Sequence, residues 1–279
     1  MYRPISLLQA LYKIFTTLID TRLRQGLVER LHPQQFGFLK GNSVDNAIFG
    51  LLRAVECAGN FKNLPLYILL LDWAKAYDTI NWEGLISAME RLGTPAKYIR
   101  LIRVLYSNPQ FFVSDPLGSS STRSMFRGLR QGDGLSCLLF ICVLSVIFYD
   151  AEKAWQQAGA HITDRERVIE AFGREVAKYA DDSNLFSCDP AALQIVLHEL
   201  QREARRYGLE LSIDKTWLIL VGAARDNPPA LTDLDGRPLR VTDSHRTLGF
   251  TVGQTSRISA QVRQRGGTML STMNQYKLV

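Results

Sequence analysis

The chain is poor in cysteine, and the few it has stand apart. Cys57, Cys137, Cys142 and Cys188 form no C-x-x-C pair and have no histidine at ligand spacing. That pattern excludes a disulfide framework and a zinc site, and reads as buried thiols in a reducing compartment. No signal-peptide pattern opens the sequence. Its most apolar run, Leu135 to Tyr149, is short for a membrane span and is punctuated by serine and cysteine, so it predicts a buried core helix. Internal repeats, low-complexity tracts and a convincing basic import cluster are all absent. Charge is only mildly one-sided: 33 Lys and Arg against 27 Asp and Glu give a net +6 and a pI near 9.2. That balance permits a polyanionic partner without requiring one.

What is present suffices for a sizeable core. The 279 residues are 46% hydrophobic, enough for one large domain or two small ones. Leu7, Leu8, Leu11, Ile14, Phe15, Leu18, Ile19 and Leu23 recur at helical spacing and predict a core-facing amphipathic helix. Ser43 opens a second helix through Val44, Ile48, Leu51, Leu52 and Val55. The unbroken run Leu66 to Leu71 suits a strand buried on both faces. Helices follow over Trp82 to Leu92, from Pro95 through Leu105, over Leu135 to about Gly159, and from Asp189-Pro190 to Tyr207, with Gly208 as a stop. A hairpin is expected around Pro116-Leu117-Gly118, a turn at Asp235-Gly236, and short strands over Leu209 to Ile213, Trp217 to Val221, Leu239 to Val241 and Leu248 to Val252. The layout is α+β, with helices on one face of a mostly antiparallel sheet. Both ends read as cuts within something longer.

Two stretches carry candidate chemistry. In Tyr179-Ala180-Asp181-Asp182 a strand-like run precedes two adjacent acids and another follows, so a tight hairpin would put both at its tip. An Asp-Asp pair is also a common solvated turn dipeptide. Adjacent carboxylates repel, and a fold that keeps both ionised usually supplies a cation. In Leu69-Leu70-Leu71-Asp72 an acid ends a buried strand, where it either caps the following turn or meets a metal or substrate. If these strand ends converge, their oxygens suit hard cations such as Mg²⁺. Two such ions roughly 3.5–4 Å apart clamp the attacking and leaving oxygens of a phosphoryl displacement. Between the acids, Arg127-Gly128-Leu129-Arg130-Gln131-Gly132-Asp133-Gly134 precedes the apolar helix. Its glycines allow close backbone approach, and Arg127 and Arg130 could meet phosphate; an ordinary loop is the alternative.

In this order the motifs resemble the reverse transcriptase domain of non-LTR (LINE-like) retrotransposons. The resemblance runs from Tyr2-Arg3-Pro4-Ile5-Ser6-Leu7 and Gln35-Phe36-Gly37-Phe38 through Leu71-Asp72-x-x-Lys75-Ala76-Tyr77-Asp78 and Arg127 to Asp133. It continues through Tyr179 to Asp182, Gly208-Leu209-x-Leu211-x-x-x-Lys215-Thr216 and Leu248-Gly249. It implies right-hand polymerase architecture: a fingers portion at 1–64, a palm at 65–253 with an interleaved fingers segment at about 94–130, and the start of a thumb connection at 254–279. The implied activity is RNA-directed DNA polymerisation, adding dNTPs to the 3′-hydroxyl of a DNA primer on an RNA template. Asp72 and Asp181 would be the main ligands of two Mg²⁺ ions, with Mn²⁺ an alternative, assisted by Asp182 and the backbone carbonyl of Trp73.

The resemblance also implies that Tyr77 excludes a ribose 2′-hydroxyl, that Gln131 and Gly132 border the incoming nucleotide, and that Lys215 donates a proton to the leaving pyrophosphate. Arg3 would contact the triphosphate, and Leu248-Gly249 would form part of the primer grip. It sets no oligomeric state, implies no membrane, and points to the nucleus and cytoplasm. Gly134 and Cys137 replace two prolines common in the family, which is expected to loosen the backbone at Gln131. Ser212 stands where asparagine is common, and Tyr77 where phenylalanine is. The alternatives are a retroelement relic that binds nucleic acid without polymerising, and an RNA-dependent RNA polymerase palm, which the Lys75-Ala76-Tyr77-Asp78 wording disfavours.

Overall fold

The computed structural model describes residues 5–33, 35–60, 64–115, 118–159, 176–179 and 182–253. Its centre is a five-stranded sheet in the order β6-β7-β1-β8-β9, made from β1 (Pro65–Leu71), β6 (Val176–Tyr179), β7 (Asp182–Ser187), β8 (Trp217–Gly222) and β9 (Arg240–Thr242). The pairings are antiparallel except that β9 runs parallel to β8. β1 lies in the middle with β7 and β8 on its two sides, so its uninterrupted apolar sequence is buried on both faces, as expected.

Alternation along β1 divides the interior in two. Tyr67, Leu69 and Leu71 join a large core built with α4 (Trp82–Arg91), α5 (Ala96–Leu105), α6 (Gly134–Gln157) and α7 (Pro190–Arg206). Leu66, Ile68 and Leu70 face the other way and pack on α2 (Val44–Asn60) and on Phe250 and Val252 of β11 (Phe250–Gly253). The expectation of helices on one face only is thus corrected. α2 covers the second face because Ala47, Ile48, Leu51, Leu52, Ala54, Val55 and Ala58 give it a wide apolar stripe.

α6 is long and apolar enough to cross a membrane, yet 78% of its most apolar stretch is buried within the fold. It is the central core helix, apolar all round because every side is covered. Asp133 caps its start through Leu135 N–H, at 3.2 Å. Asp189 caps α7 through Ala191 N–H, and Gly208, at φ +82°, ends it.

The first helix, α1 (Ala10–Leu27), starts after Leu7 and Leu8 of the expected periodic set, and only part of its apolar face is covered. Ile19, Leu23 and Leu27 are buried near α6, whereas Leu7, Leu11, Ile14, Phe15 and Leu18 lie largely exposed, Leu11 by 81%. Helical spacing reports an apolar face and does not report whether a neighbour reaches along its whole length.

Three strand assignments also change. Leu209 to Ile213 is no strand and keeps only an isolated bridge from Leu211 to Trp73. Leu248-Gly249 is a turn between β10 (Ser244–Thr247) and β11, not the start of a strand. The expected hairpin after α5 is two short ladders, β2 (Gln110–Phe111) with β5 (Arg123–Ser124), and β3 (Ser114–Asp115) with β4 (Gly118–Ser119). Pro116-Leu117 of its turn lie outside the described residues. The four cysteines are free thiols. Burial pushes the Cys142 thiol up to about 12.

Candidate active site

Asp72 follows the last residue of β1 and is held there by backbone. Its carbonyl accepts from Ser212 N–H at 2.8 Å, and Ala74 N–H donates to the Glu210 carbonyl at 2.8 Å. The next step of the chain, Ser212 to Thr216, is a tight turn over Ile213–Lys215 that delivers Lys215 to the acid, with Nζ 3.3 Å from Asp72 Oδ2. Ser212 acts here through its N–H and carbonyl, which every residue has, so its departure from asparagine leaves this clamp intact. The Asp72 side chain is 30% exposed, but Oδ2 is shielded from solvent and accepts no hydrogen bond. The two bonds flanking the Trp73–Leu211 bridge use the Asp72 carbonyl and Ala74 N–H, which leaves the Trp73 carbonyl outside that ladder.

The second acid arrives by register. Leu71 pairs with Ser183, so Asp72 and Asp182, each the next residue toward the same sheet edge, occupy neighbouring positions. In β6, Tyr179 pairs with Asp182 of β7. Asp181 itself lies outside the described residues, as does Arg3. Among the described residues no cluster of three or more His, Cys, Asp and Glu side chains forms a metal cage. The donor chemistry nevertheless fits a hard dication. Its ligands would be carboxylate and carbonyl oxygens, and Asp72 Oδ2 is a shielded anionic oxygen that accepts no hydrogen bond and is balanced by the Lys215 ammonium.

The loop at 127–133 folds against the turn that follows Asp72. That turn begins at Lys75, a non-glycine residue at φ +49°, and continues as the short helix α3 (Ala76–Thr79). Gly128 N–H donates to the Ile80 carbonyl at 2.7 Å, Leu129 N–H to the Tyr77 carbonyl at 2.6 Å, and Trp82 Nε1–H to the Gly128 carbonyl at 2.9 Å. Gln131 Nε2 donates to Asp78 Oδ1 at 3.2 Å, while its carbonyl accepts from Ser6 N–H at 2.7 Å. Gly132, at φ +106°, lies close to the Ser6 carbonyl. The structure therefore joins Ser6, the Asp72–Asp78 segment and Gln131-Gly132, which are far apart in sequence. The half-buried Tyr77 stacks on Phe140 with ring centroids 4.6 Å apart.

Arg130 is not available to phosphate, contrary to expectation. Its guanidinium donates to Tyr12 Oη and to the Leu105 carbonyl, and lies over the rings of Tyr12 and Tyr106. It ties α1 to α5 instead. Burial raises the pKa of both phenols above the ordinary tyrosine value, so Tyr12 and Tyr106 stay neutral donors and acceptors around it. Arg127 is exposed.

Gly134 is not among the glycines with positive φ. It is the first residue of α6, a Cβ there would meet nothing within 4 Å, and Asp133 before it is extended at φ −96°, ψ 125°. Those are the conditions under which proline is accepted at a helix start. Gly134→Pro is expected to stabilise the chain by about 0.5–1 kcal/mol, mostly by restricting the unfolded chain. Thermal unfolding should show a midpoint higher by about 2 °C; a lower one would mean that this backbone is not free to take proline.

Leu248 and Gly249 both have positive φ, +51° and +79°, as a two-residue hairpin turn of the primed kind requires. Leu248 also packs against Phe36 and Ala47, which repays a strained backbone at a non-glycine residue. Sequence reasoning gave no role to Ser6, Asp78 or Trp82. Their partners lie across the fold, and only the wording of the Asp72–Asp78 motif signalled that Asp78 mattered.

Residues 1–252 match the family described as reverse transcriptase (RNA-dependent DNA polymerase), and the chain belongs to that family. Within it, the relatives are the RNA-directed DNA polymerases of non-LTR retrotransposons. The chain is 31% identical over 223 residues to the probable RNA-directed DNA polymerase from transposon BS of Drosophila melanogaster, covering 77% of this chain and 23% of that protein. It is 25% identical over 289 residues to the Pol polyprotein from the type-2 retrotransposable element R2DM of the same fly, covering 99% of this chain and 26% of that one. The chain thus spans about a quarter of the length of these relatives. Its fold is similar to that of Candida albicans telomerase, solved with a fragment of telomeric RNA, at a TM-score of 0.53 and 16% identity over 88% of this chain and 37% of that one.

Proposed function

We propose that this chain is the catalytic portion of a non-LTR retrotransposon reverse transcriptase, which extends a DNA primer with dNTPs on an RNA template. The observation that supports this best is the meeting at Asp72 of a shielded carboxylate oxygen, the Lys215 ammonium paired with it and Asp182 on the adjoining strand. These residues stand in motifs ordered as in the family that the chain matches. In this reading the fingers occupy 1–64 and about 94–130, the palm the rest of 65–253, and 254–279 lead toward a thumb.

Asp72, Asp181 and Asp182, with the Trp73 carbonyl, would hold two Mg²⁺ or Mn²⁺ ions. Such ions activate a hydroxyl and stabilise charge on the attacking and leaving oxygens of phosphoryl transfer. The protein's own share is positioning and electrostatics. Backbone hydrogen bonds hold Asp72, and strand register sets Asp182 beside it. Lys215 carries a cation and a proton toward the leaving pyrophosphate. Gln131 and Gly132 would shape the nucleotide's surroundings, Arg3 would contact its phosphates, and the Leu248-Gly249 turn would support the primer.

Tyr77 would close the space beside the sugar, and its stack on Phe140 holds the ring in place. Tyr77→Val is expected to raise rNTP incorporation relative to dNTP on the order of tenfold to a hundredfold, the scale of one lost steric contact. Competition assays with paired nucleotides measure this ratio, and an unchanged ratio removes Tyr77 from the sugar gate.

The function itself is tested by primer extension on an RNA template, with this chain and with one that continues beyond residue 279. Mg²⁺-dependent DNA synthesis is expected. Template binding with no synthesis by either form would favour a non-polymerising relic.

A further inference from the structure

We infer that Asp78 is a positioning residue that fixes which way the Gln131 side-chain amide faces. The inference rests on the reading of Gln131 as a contact of the incoming nucleotide and deepens it. An amide has two nearly isosteric orientations, one presenting its NH₂ and the other its oxygen. A carboxylate only accepts hydrogen bonds, so Asp78 Oδ1, 3.2 Å from Gln131 Nε2, selects one of them. The NH₂ turns toward Asp78 and the amide oxygen turns away.

The backbone around this pair leaves the side chains little else to settle. Asp78 N–H donates to the Lys75 carbonyl at 2.8 Å, and a Cβ on Gly128 would lie within 2.9 Å of the Asp78 backbone, so this turn and the loop are in direct contact. On the other side, Ser6 N–H holds the Gln131 carbonyl. With the main chain fixed from both sides, the remaining freedom at Gln131 is its side-chain torsions, and the Asp78 carboxylate removes it. Both side chains are half-buried, which strengthens a charge-assisted bond relative to one in open water. Lys75, three residues earlier in the motif, is exposed.

The prediction is a graded series. Asp78→Ala frees the amide and should raise the KM for dNTP about tenfold, with kcat little changed, the scale of one hydrogen bond to a charged group. Asp78→Asn keeps an acceptor oxygen but also offers an NH₂, so it permits both amide orientations and should fall between Ala and the parent chain. Gln131→Ala should raise the same KM, and Asp78→Ala combined with Gln131→Ala should be no worse than Gln131→Ala alone, because the two act as one unit. The change in melting temperature on adding saturating dNTP with Mg²⁺ measures the same binding without turnover.

If Gln131→Ala leaves dNTP binding unchanged by both readouts, Gln131 is no nucleotide contact and the reading beneath the inference fails. If Gln131→Ala weakens binding but Asp78→Ala does not, that reading stands and the positioning role of Asp78 is overturned. Equal, additive losses from the two substitutions, with no rescue by Asn, would likewise reduce Asp78 to a structural residue.

Discussion

Asp72→Asn is expected to abolish primer extension while leaving the fold in place. Asparagine has the same shape, and the interactions that hold position 72 are made by backbone, through its carbonyl to Ser212 N–H and the flanking Ala74–Glu210 bond. What changes is the charge on an oxygen that is shielded and makes no hydrogen bond. The ion pair with Lys215 is lost, but Lys215 is 58% exposed, and such pairs contribute about 0–1 kcal/mol. Stability should therefore move little, whereas catalysis would lose the anionic anchor that the proposed site offers to dications. A loss on the order of a thousandfold or more is expected, comparable to removing a principal electrostatic stabiliser elsewhere. Single-turnover extension in Mg²⁺, paired with a thermal melt, separates the two effects. A folded Asp72→Asn chain with full activity would end the assignment of this site. Asp181→Asn carries the same expectation from its place in the motif.

The second large effect is on architecture. Gly128→Ala should destabilise the chain by about 2–4 kcal/mol, since it combines a strained backbone with overpacking. Gly128 has φ +90°, and an added Cβ would lie 2.7 Å from the Asp78 carbonyl oxygen and 2.9 Å from both its carbonyl carbon and its Cα. None of these is a side chain that can swing aside. The loop would have to lift from the α3 turn, breaking the bonds from Gly128 and Leu129 to Ile80 and Tyr77 and displacing Gln131. The melting midpoint should fall by roughly 10 °C, and dNTP affinity should fall with it. A melt like that of the parent chain would show that the loop does not rest on Asp78. The contrast with Gly134→Pro is instructive. A glycine of the loop and the glycine that opens α6 are expected to respond with opposite sign, because one faces backbone and the other faces open space.

Much of the local structure is legible along the chain. The doubly buried β1, the core helix α6, the caps Asp133 and Asp189 and the stop at Gly208 follow from apolar pattern and from cap and stop residues read over a few positions. The candidate acids are legible too, as members of an ordered set of motifs. Where the reading failed, the deciding contact was distant. Leu209 to Ile213 has a strand-like sequence but reaches only one bridge, because its neighbour Asp72–Ala74 is already leaving the sheet. Arg130 looks like a phosphate ligand until Tyr12 and Tyr106, from two helices, enclose it. The apolar stripe of α1 is real, yet half of it outruns the core.

The sequence by itself determined the family, the candidate acids and the main helices, because periodicity, caps and motif wording are properties of short segments. Only the tertiary structure decided that both faces of the sheet are covered, that Lys215 reaches Asp72, and that Asp78 and Ser6 hold Gln131 from opposite sides. Those are meetings of residues far apart in the chain. They depend on strand register and on how close one backbone can approach another, which no short stretch of sequence encodes.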